Sequence, residues 1–474
     1  MKVRFTILAS LPLGLLLTGC PLTDHYQLLD ESGAAPGVGA GNPGGGRPES
    51  GPPLGGIGGV AGAERGAAGE AGDPTSKGGS EMVGSGGGGG DIETAGSSGT
   101  GGAAPCVATC NAKRSCVANG CTSGWVSMAR PPSQLVARSR AASVALGKSV
   151  FIWGGLDNDG AALNDGALYN PVLDTWKYLP RDPGSPSPRI MATAVWTGAG
   201  SNKVVVYGGT DAGGGMTYKD GAIYDVADNS WAPLPPHPTI SKRSAPVGYW
   251  DGTRAIFFGG LNGANPVAGA DRFDLKTWTV STTSGDPGAL GSSATAWDGS
   301  VMYLQGGVIG AVRQDRVFSY TSSTDAWANL SKALSVRSGA FGAWDGSRFV
   351  VWGGQDDGGL RTDGKALAGT TWSDMTLGPL EARRVAFRRS GWSFQVRPGV
   401  IAIVGGLTST TGVGTLAING ASYDVSNARW SAIPDWTSLQ SHEYGIGVWT
   451  GEEFVIWGGR DQNVSTLTGE RWAP

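Results

Sequence analysis

The sequence predicts an all-β protein whose main body is a ring of seven four-stranded repeats, preceded by a long segment that can build no core. Three observations carry this expectation. A β-rich apolar run ends in Gly-Gly seven times between residues 150 and 459. Successive Gly-Gly pairs begin 54, 51, 47, 47, 52 and 53 residues apart, a period near 50 that marks radial repeat architectures. Glycine and tryptophan are both abundant, at 82 and 18 of 474 residues. That pairing suits short strands joined by tight turns and anchored by large side chains.

The first element is an address. Lys2 and Arg4 precede an apolar run, Phe5 to Leu17, that Pro12 and Gly14 interrupt. Such a run is too short to span a bilayer comfortably, and its flanks are those of a signal peptide. It ends in Leu17-Thr18-Gly19-Cys20, which resembles the lipobox of bacterial lipoproteins. The resemblance implies removal of residues 1–19 and diacylation of Cys20, with palmitate or a related chain. It also implies an exported, lipid-anchored protein of the cell envelope. Inner or outer membrane, periplasm or surface, all stay open.

The second element is a linker, residues 20–105. Of the 75 residues from 31 to 105, 28 are glycine, and none is aromatic. The few apolar side chains there cannot offset the entropy of ordering, so a low-complexity, disordered tether is expected. The glycines show no three-residue period, which excludes collagen. A Gly-rich coil of this length spans about 50 Å. The third element, 106–124, holds Cys106, Cys110, Cys116 and Cys121. In an oxidising compartment these four are expected to form two disulfides, in any of three pairings. A zinc site ranks well below, because the spacing is not paired CxxC and histidine is missing nearby.

The fourth element, 125–474, carries the repeats. The Gly-Gly pairs are Gly154-Gly155, Gly208-Gly209, Gly259-Gly260, Gly306-Gly307, Gly353-Gly354, Gly405-Gly406 and Gly458-Gly459. Before most of them lies another short strand and a tight turn, as in Trp250-Asp251-Gly252, Trp297-Asp298-Gly299 and Trp344-Asp345-Gly346. Asp-Gly between apolar runs is a strong hairpin signal, because the turn needs positive φ. After each Gly-Gly comes a variable loop, then a strand bearing Tyr169, Tyr224, Phe273, Tyr320 or Tyr423. A closing tryptophan follows: Trp176, Trp231, Trp278, Trp327, Trp372, Trp430 and Trp472. Blades five and seven lack the tyrosine, around Ala366-Leu367 and Thr466-Leu467, and blade six is expected to start with a strand over Val385–Phe394.

Gly-Gly, then Tyr, then Trp about six residues on, resembles the kelch motif. The likeness covers about 350 residues and implies a seven-bladed kelch-type β-propeller. The physics agrees: a four-stranded blade cannot bury both faces alone, and radial closure covers them. Ring closure is open at this level. Trp125 to Met128 followed by Pro131-Pro132 resembles a closing strand, yet Trp472 also ends the chain, so eight tryptophans compete for seven outer strands.

Function is less legible. Charge is balanced, 36 Lys+Arg against 39 Asp+Glu, so no nucleic-acid partner is expected. The loops after Gly-Gly carry Asp157, Asn158, Asp159, Asp211, Asn262, Asp356, Asp357 and Asp461; the chain entering each first strand carries Arg140, Arg189, Arg243, Arg337 and Arg384. These Arg and Asp side chains are expected around the mouth of the central channel, as a polar ligand face. Against this stand Asx-turns and solvated loop charges, the weightier account of the same residues. The propeller has only His237 and His442, too few for a copper or zinc centre built on imidazoles. No G-x-S-x-G elbow is present, and no catalytic residue, metal or cofactor is assigned. Kelch enzymes such as galactose-oxidase-like oxidases and sialic-acid mutarotases leave no specific signature here. The expectation is therefore a monomeric, anchored binding module for an unknown protein or polysaccharide. The alternative is a periplasmic or surface carbohydrate-active enzyme, epimerase- or lyase-like, using the Arg/Asp mouth.

Overall fold

The computed structural model describes residues 115–117, 120–122, 124–375, 391–406, 417–436, 442–461 and 464–474. Cys20, Cys106, Cys110 and Arg384 lie outside the described residues, as does the expected tether.

The β-rich runs become seven four-stranded antiparallel sheets. In blade one the strands are Ala142–Leu146, Ser149–Trp153, Gly166–Asn170 and Thr175–Leu179, hydrogen-bonded in that order. The second strands are the most deeply buried: every residue of Ala255–Phe258, Phe349–Trp352, Val400–Val404 and Phe454–Trp457 is buried. A strand covered on both faces by neighbouring sheets must be apolar throughout, which is why these runs do not alternate. The first strands of adjacent blades lie against one another, so they form the inner wall.

No single core exists. Each seam between neighbouring blades has its own apolar cluster. Phe151, Trp153, Val204, Val206 and Tyr224 fill the seam of blades one and two; Val150, Ile152, Val455 and Trp457 fill that of seven and one. The Tyr–Trp signature is a cross-strand pair within one blade. Tyr169 faces Trp176, Tyr224 faces Trp231, and Tyr320 faces Trp327. The tyrosine hydroxyl then donates to a left-handed residue in the turn between them: Asp174 at 2.6 Å, Asn229 at 2.8 Å and Asp325 at 2.8 Å. Asp and Asn are the non-glycine residues that tolerate that conformation best. The tryptophan also crosses the seam. Trp231 packs on Trp153 with centroids 5.7 Å apart, Trp278 on Tyr207 at 4.9 Å, Trp430 on Trp352 at 4.6 Å and Trp176 on Trp457 at 5.3 Å. Each such pair adds about 0.5–1.5 kcal/mol beyond its buried area.

The ring closes with a strand from each end of the domain. Blade seven is ordered Trp125–Ser127, Gly469–Trp472, Phe454–Trp457, Ile446–Trp449. The N-terminal strand is therefore the outer strand, with Trp125 opposite Trp472. This corrects the reading of Trp472 as a closing tryptophan. Trp472 stands on the third strand opposite Phe454, as Tyr169 stands opposite Val150, so it fills the tyrosine place that blade seven was expected to lack. In blade six the strand Trp392–Arg397 has an irregularity between Gln395 and Arg397; of the expected first strand over Val385–Phe394, residues 385–390 lie outside the described residues.

Candidate functional face: the loop crown and its arginine staples

Where both are described, the connection from second to third strand and the link to the next blade emerge on one face. Beyond Gly-Gly the loops of blades three, four, five and seven form short hairpins, such as Leu261–Asn262 with Asn265–Pro266 and Val308–Ile309 with Val312–Arg313. Neighbouring loops are tied sideways into a crown. Asn158 accepts from the Ser465 N–H at 2.6 Å and donates to its carbonyl at 3.1 Å; Thr217 Oγ1 accepts from Gly263 N–H at 2.9 Å.

The arginines of the sequence-predicted ligand face sit beneath this crown and do not line it. Arg189, Arg243 and Arg337 are at most 1 % exposed. Arg243 donates from Nε to Asp271 at 2.6 Å, from Nη1 to the Gly259 carbonyl at 2.6 Å and from Nη2 to the Ala268 carbonyl at 3.1 Å. Arg189 binds the Gly208 carbonyl at 3.0 Å and Asp220 at 2.8 Å; Arg337 binds Gly353 at 3.1 Å and Asp363 at 2.8 Å. Five donors in a planar fork suit this task of satisfying a tight turn's carbonyl and an acid together. These three side chains are thus spent inside the protein.

The same residues also fasten one blade to the next. In four of the pairs the second glycine donates its N–H to the carbonyl of the following blade's arginine: Gly155 to Arg189 at 3.0 Å, Gly209 to Arg243 at 2.8 Å, Gly307 to Arg337 at 2.8 Å and Gly459 to Arg138 at 2.8 Å. The glycines are required by space as well as conformation. At Gly208, with φ +71°, an added Cβ would lie 2.2 Å from the Arg243 carbonyl oxygen.

Arg138 is the staple that sequence reasoning missed. It donates to the Gly154 carbonyl at 3.1 Å and pairs with Asp165 at 2.9 Å. The signal was a count: Arg138, Arg243 and Arg337 each stand 16 residues before their first glycine, and Arg140 does not. His442 holds the same place in blade seven, its Nδ1 2.7 Å from the Gly458 carbonyl. Burial lowers the His442 pKa, against the opposing pull of that carbonyl, Glu470 and Asp461. Asp363 shows the electrostatics of the staple from the acid's side. Burial alone would raise its pKa, but Arg337 and Arg361 outweigh that and hold it below the usual carboxylate range.

Arg140 has a different job. It adopts φ +58°, and Met191, Ala245, Ser292, Gly339 and Tyr444 take the same left-handed conformation two residues past each staple position. Their backbones link blade to blade: Arg140 N–H donates to Tyr444 at 2.8 Å, Met191 to Arg140 at 2.9 Å, Ala245 to Met191 at 2.7 Å and Gly339 to Ser292 at 2.9 Å. The result is a strained neck around the axis just before the inner strands. The Arg140 guanidinium lies 4.2 Å from the centroid of the Tyr444 ring.

The acidic candidates are mostly turn formers. Asp157 accepts from the N–H groups of Asp159 and Ala161, Asp211 from Met216, and Asp356 from Gly358 and the Arg361 guanidinium. Asp461 is half-buried at the tip of the blade-seven hairpin. Asp159, Asn262 and Asp357 are exposed, and beside them the crown presents apolar side chains. Among the described residues, eight large hydrophobic side chains are exposed, and Val136, Met216, Val312, Val336 and Val464 stand on this face. Sequence reasoning looked for charge there and passed over these tips.

The fold is a seven-bladed β-propeller. Residues 140–343 match the family model described as the KLHDC2/KLHL20/DRC7 Kelch-repeats domain. Among solved structures, that of YjhT is similar at 16 % identity, covering 65 % of this chain and 99 % of that one with a TM-score of 0.47. No curated protein matches the chain.

Proposed function

We propose that this chain is a tethered interaction module that binds a protein partner on the loop crown, away from its anchor. Kelch propellers generally serve as interaction modules, and the single observation that carries the orientation is strand direction. Trp125–Ser127 is an outer strand, and outer strands run toward the crown, because the next link emerges there. Residue 124 therefore enters from the opposite face, and the third strand Gly469–Trp472 delivers the C-terminus to that face too. A tether attached at residue 124 leaves the crown unobstructed.

A protein partner fits this crown better than a polysaccharide. A sugar needs convergent, unspent polar side chains. Arg189, Arg243, Arg337, Asp157, Asp211 and Asp356 are engaged within the fold. Exposed tips include Val and Met beside Asp159, Asn262 and Asp357, and apolar surface of this kind is buried on protein association. The same engagement weakens the carbohydrate-active alternative, which relied on an Arg-lined mouth. The anchor itself is Cys20, lipidated after removal of residues 1–19, in a monomeric protein of the cell envelope. Its support is the Leu17–Cys20 sequence.

The test has two arms. Growth with an alkyne-tagged fatty acid should label the chain, and Cys20→Ala should abolish the label; an unlabelled wild type removes the anchor. Charged substitutions at Met216, Val312 and Val464 should abolish capture of an envelope protein that wild type retains. Capture that survives all three changes removes the crown as the binding face.

A further inference from the structure

The backbone just before the propeller selects among the cysteine pairings. Ser115–Val117 and Gly120–Thr122 pair antiparallel, with Ser115 opposite Thr122, Cys116 opposite Cys121 and Val117 opposite Gly120. Only two residues of sequence, 118 and 119, separate these strands. In such a hairpin the pair flanking the loop is hydrogen-bonded, and the pairs alternate outward from it. Val117 and Gly120 flank the loop, so Cys116 and Cys121 fall on a non-hydrogen-bonded pair. Residues at such a pair stand about 4.5 Å apart at Cα, within the roughly 4.4–6.8 Å that a disulfide accepts. Directly opposed residues also share one face of the ribbon.

We propose that Cys116 and Cys121 form a disulfide across this hairpin, which leaves Cys106 and Cys110 to one another. Either of the other pairings would send both strand cysteines elsewhere although their backbones stand directly opposite one another. The chemistry balances with a disulfide acceptor, such as an exported thiol oxidase or oxidised glutathione in vitro. The two thiols lose two protons and two electrons, the Sγ–Sγ bond forms, and the acceptor disulfide becomes two thiols.

The position gives the bond a task. Cys121 lies four residues before Trp125, the first residue of the ring-closing strand. A pull along the tether would pass through the Cys116–Cys121 bond and bypass residues 117–120. The staple thus shortens the slack between tether and closing strand and fixes the register of the chain that enters blade seven. The staple is independent of what the crown binds.

The experiment uses the full chain from its native envelope, with free thiols blocked at lysis and no reduction. Trypsin cuts after Lys113 and Arg114, between the two cysteine pairs. The expected result is two separate cysteine peptides, each lighter than its dithiol form by two hydrogen atoms and carrying no blocking group. The two peptides remaining joined would mean a crossed pairing and would overturn the proposal. Blocking groups on Cys116 and Cys121 would overturn it as well. Cys116→Ser should leave one free thiol, at Cys121, with the Cys106–Cys110 peptide unchanged. Loss of thiol blocking at Cys121 in that variant, through a new bond to Cys106 or Cys110, would count against the assignment.

Discussion

Replacing Arg243 with alanine separates the two roles that this residue could have. A ligand-contacting arginine at a channel mouth could be truncated with the fold intact. The buried staple cannot. Its removal leaves the Asp271 carboxylate at 0 % exposure with only the Tyr207 hydroxyl and the Ser241 N–H as donors. It also orphans the buried Gly259 carbonyl, whereas the carbonyl of the exposed Ala268 can turn to water. Removing one partner of a buried ion pair costs about 3–5 kcal/mol, and each orphaned buried acceptor costs about 1–3 kcal/mol. The two donors that remain on Asp271 draw the sum toward its lower end, so a loss of about 4 kcal/mol is expected. Blade four carries Leu290 at the staple position, so one missing staple is survivable and the variant should still fold. The assay is urea unfolding followed by tryptophan fluorescence on the chain lacking residues 1–20. The double variant Arg243→Ala with Asp271→Ala should recover part of the loss, because no buried charge is then left unpaired. A loss below about 1 kcal/mol, within the range of an exposed ion pair, would refute the staple.

Three further outcomes follow from the same geometry. At the seam of blades three and four, Gly260 N–H makes no bond to the Leu290 carbonyl, and the buried Trp327 Nε1 has no partner; hydrogen exchange should be faster at Gly260 than at Gly155, Gly209, Gly307 and Gly459, and equal protection at all five would contradict this. Trp125→Ala should cost about 3–5 kcal/mol, because Trp125 packs on Trp436 and Phe454 and pairs with the C-terminal strand; a thermal midpoint within a degree of wild type would remove the closing role. His442 has its pKa lowered by burial, so the unfolded chain takes up its proton first as pH falls. Stability should therefore decline as pH drops through about 6.5, and His442→Gln should flatten that slope; an unchanged slope in the variant would assign it elsewhere.

The period, the blade number and the Tyr–Trp signature were legible because each is written in residue types that repeat. Cross-strand pairs such as Tyr169 with Trp176 follow directly from a hairpin turn of fixed length. Ring closure was not legible, because Trp125 and Trp472 carry the same side chain and only pairing tells an outer strand from a third strand. The arginines misled for a similar reason. A loop arginine near a channel mouth and an arginine folded back onto a glycine carbonyl have the same neighbours in sequence. Only the constant distance of 16 residues from Arg243 to Gly259 and from Arg337 to Gly353 hinted at a shared internal acceptor. The apolar tips Met216, Val312 and Val464 went unmarked because a single exposed valine in a polar loop carries no pattern.

The most direct test of the account places a photo-crosslinking residue at Val312 or Met216 on the crown, and at Leu173 on the opposite face, in the anchored chain. After irradiation in the native envelope, Val312 and Met216 should each yield one reproducible protein adduct, and Leu173 should yield none. An adduct at Leu173 with none at the crown positions would contradict the central claim and turn the binding face toward the tether.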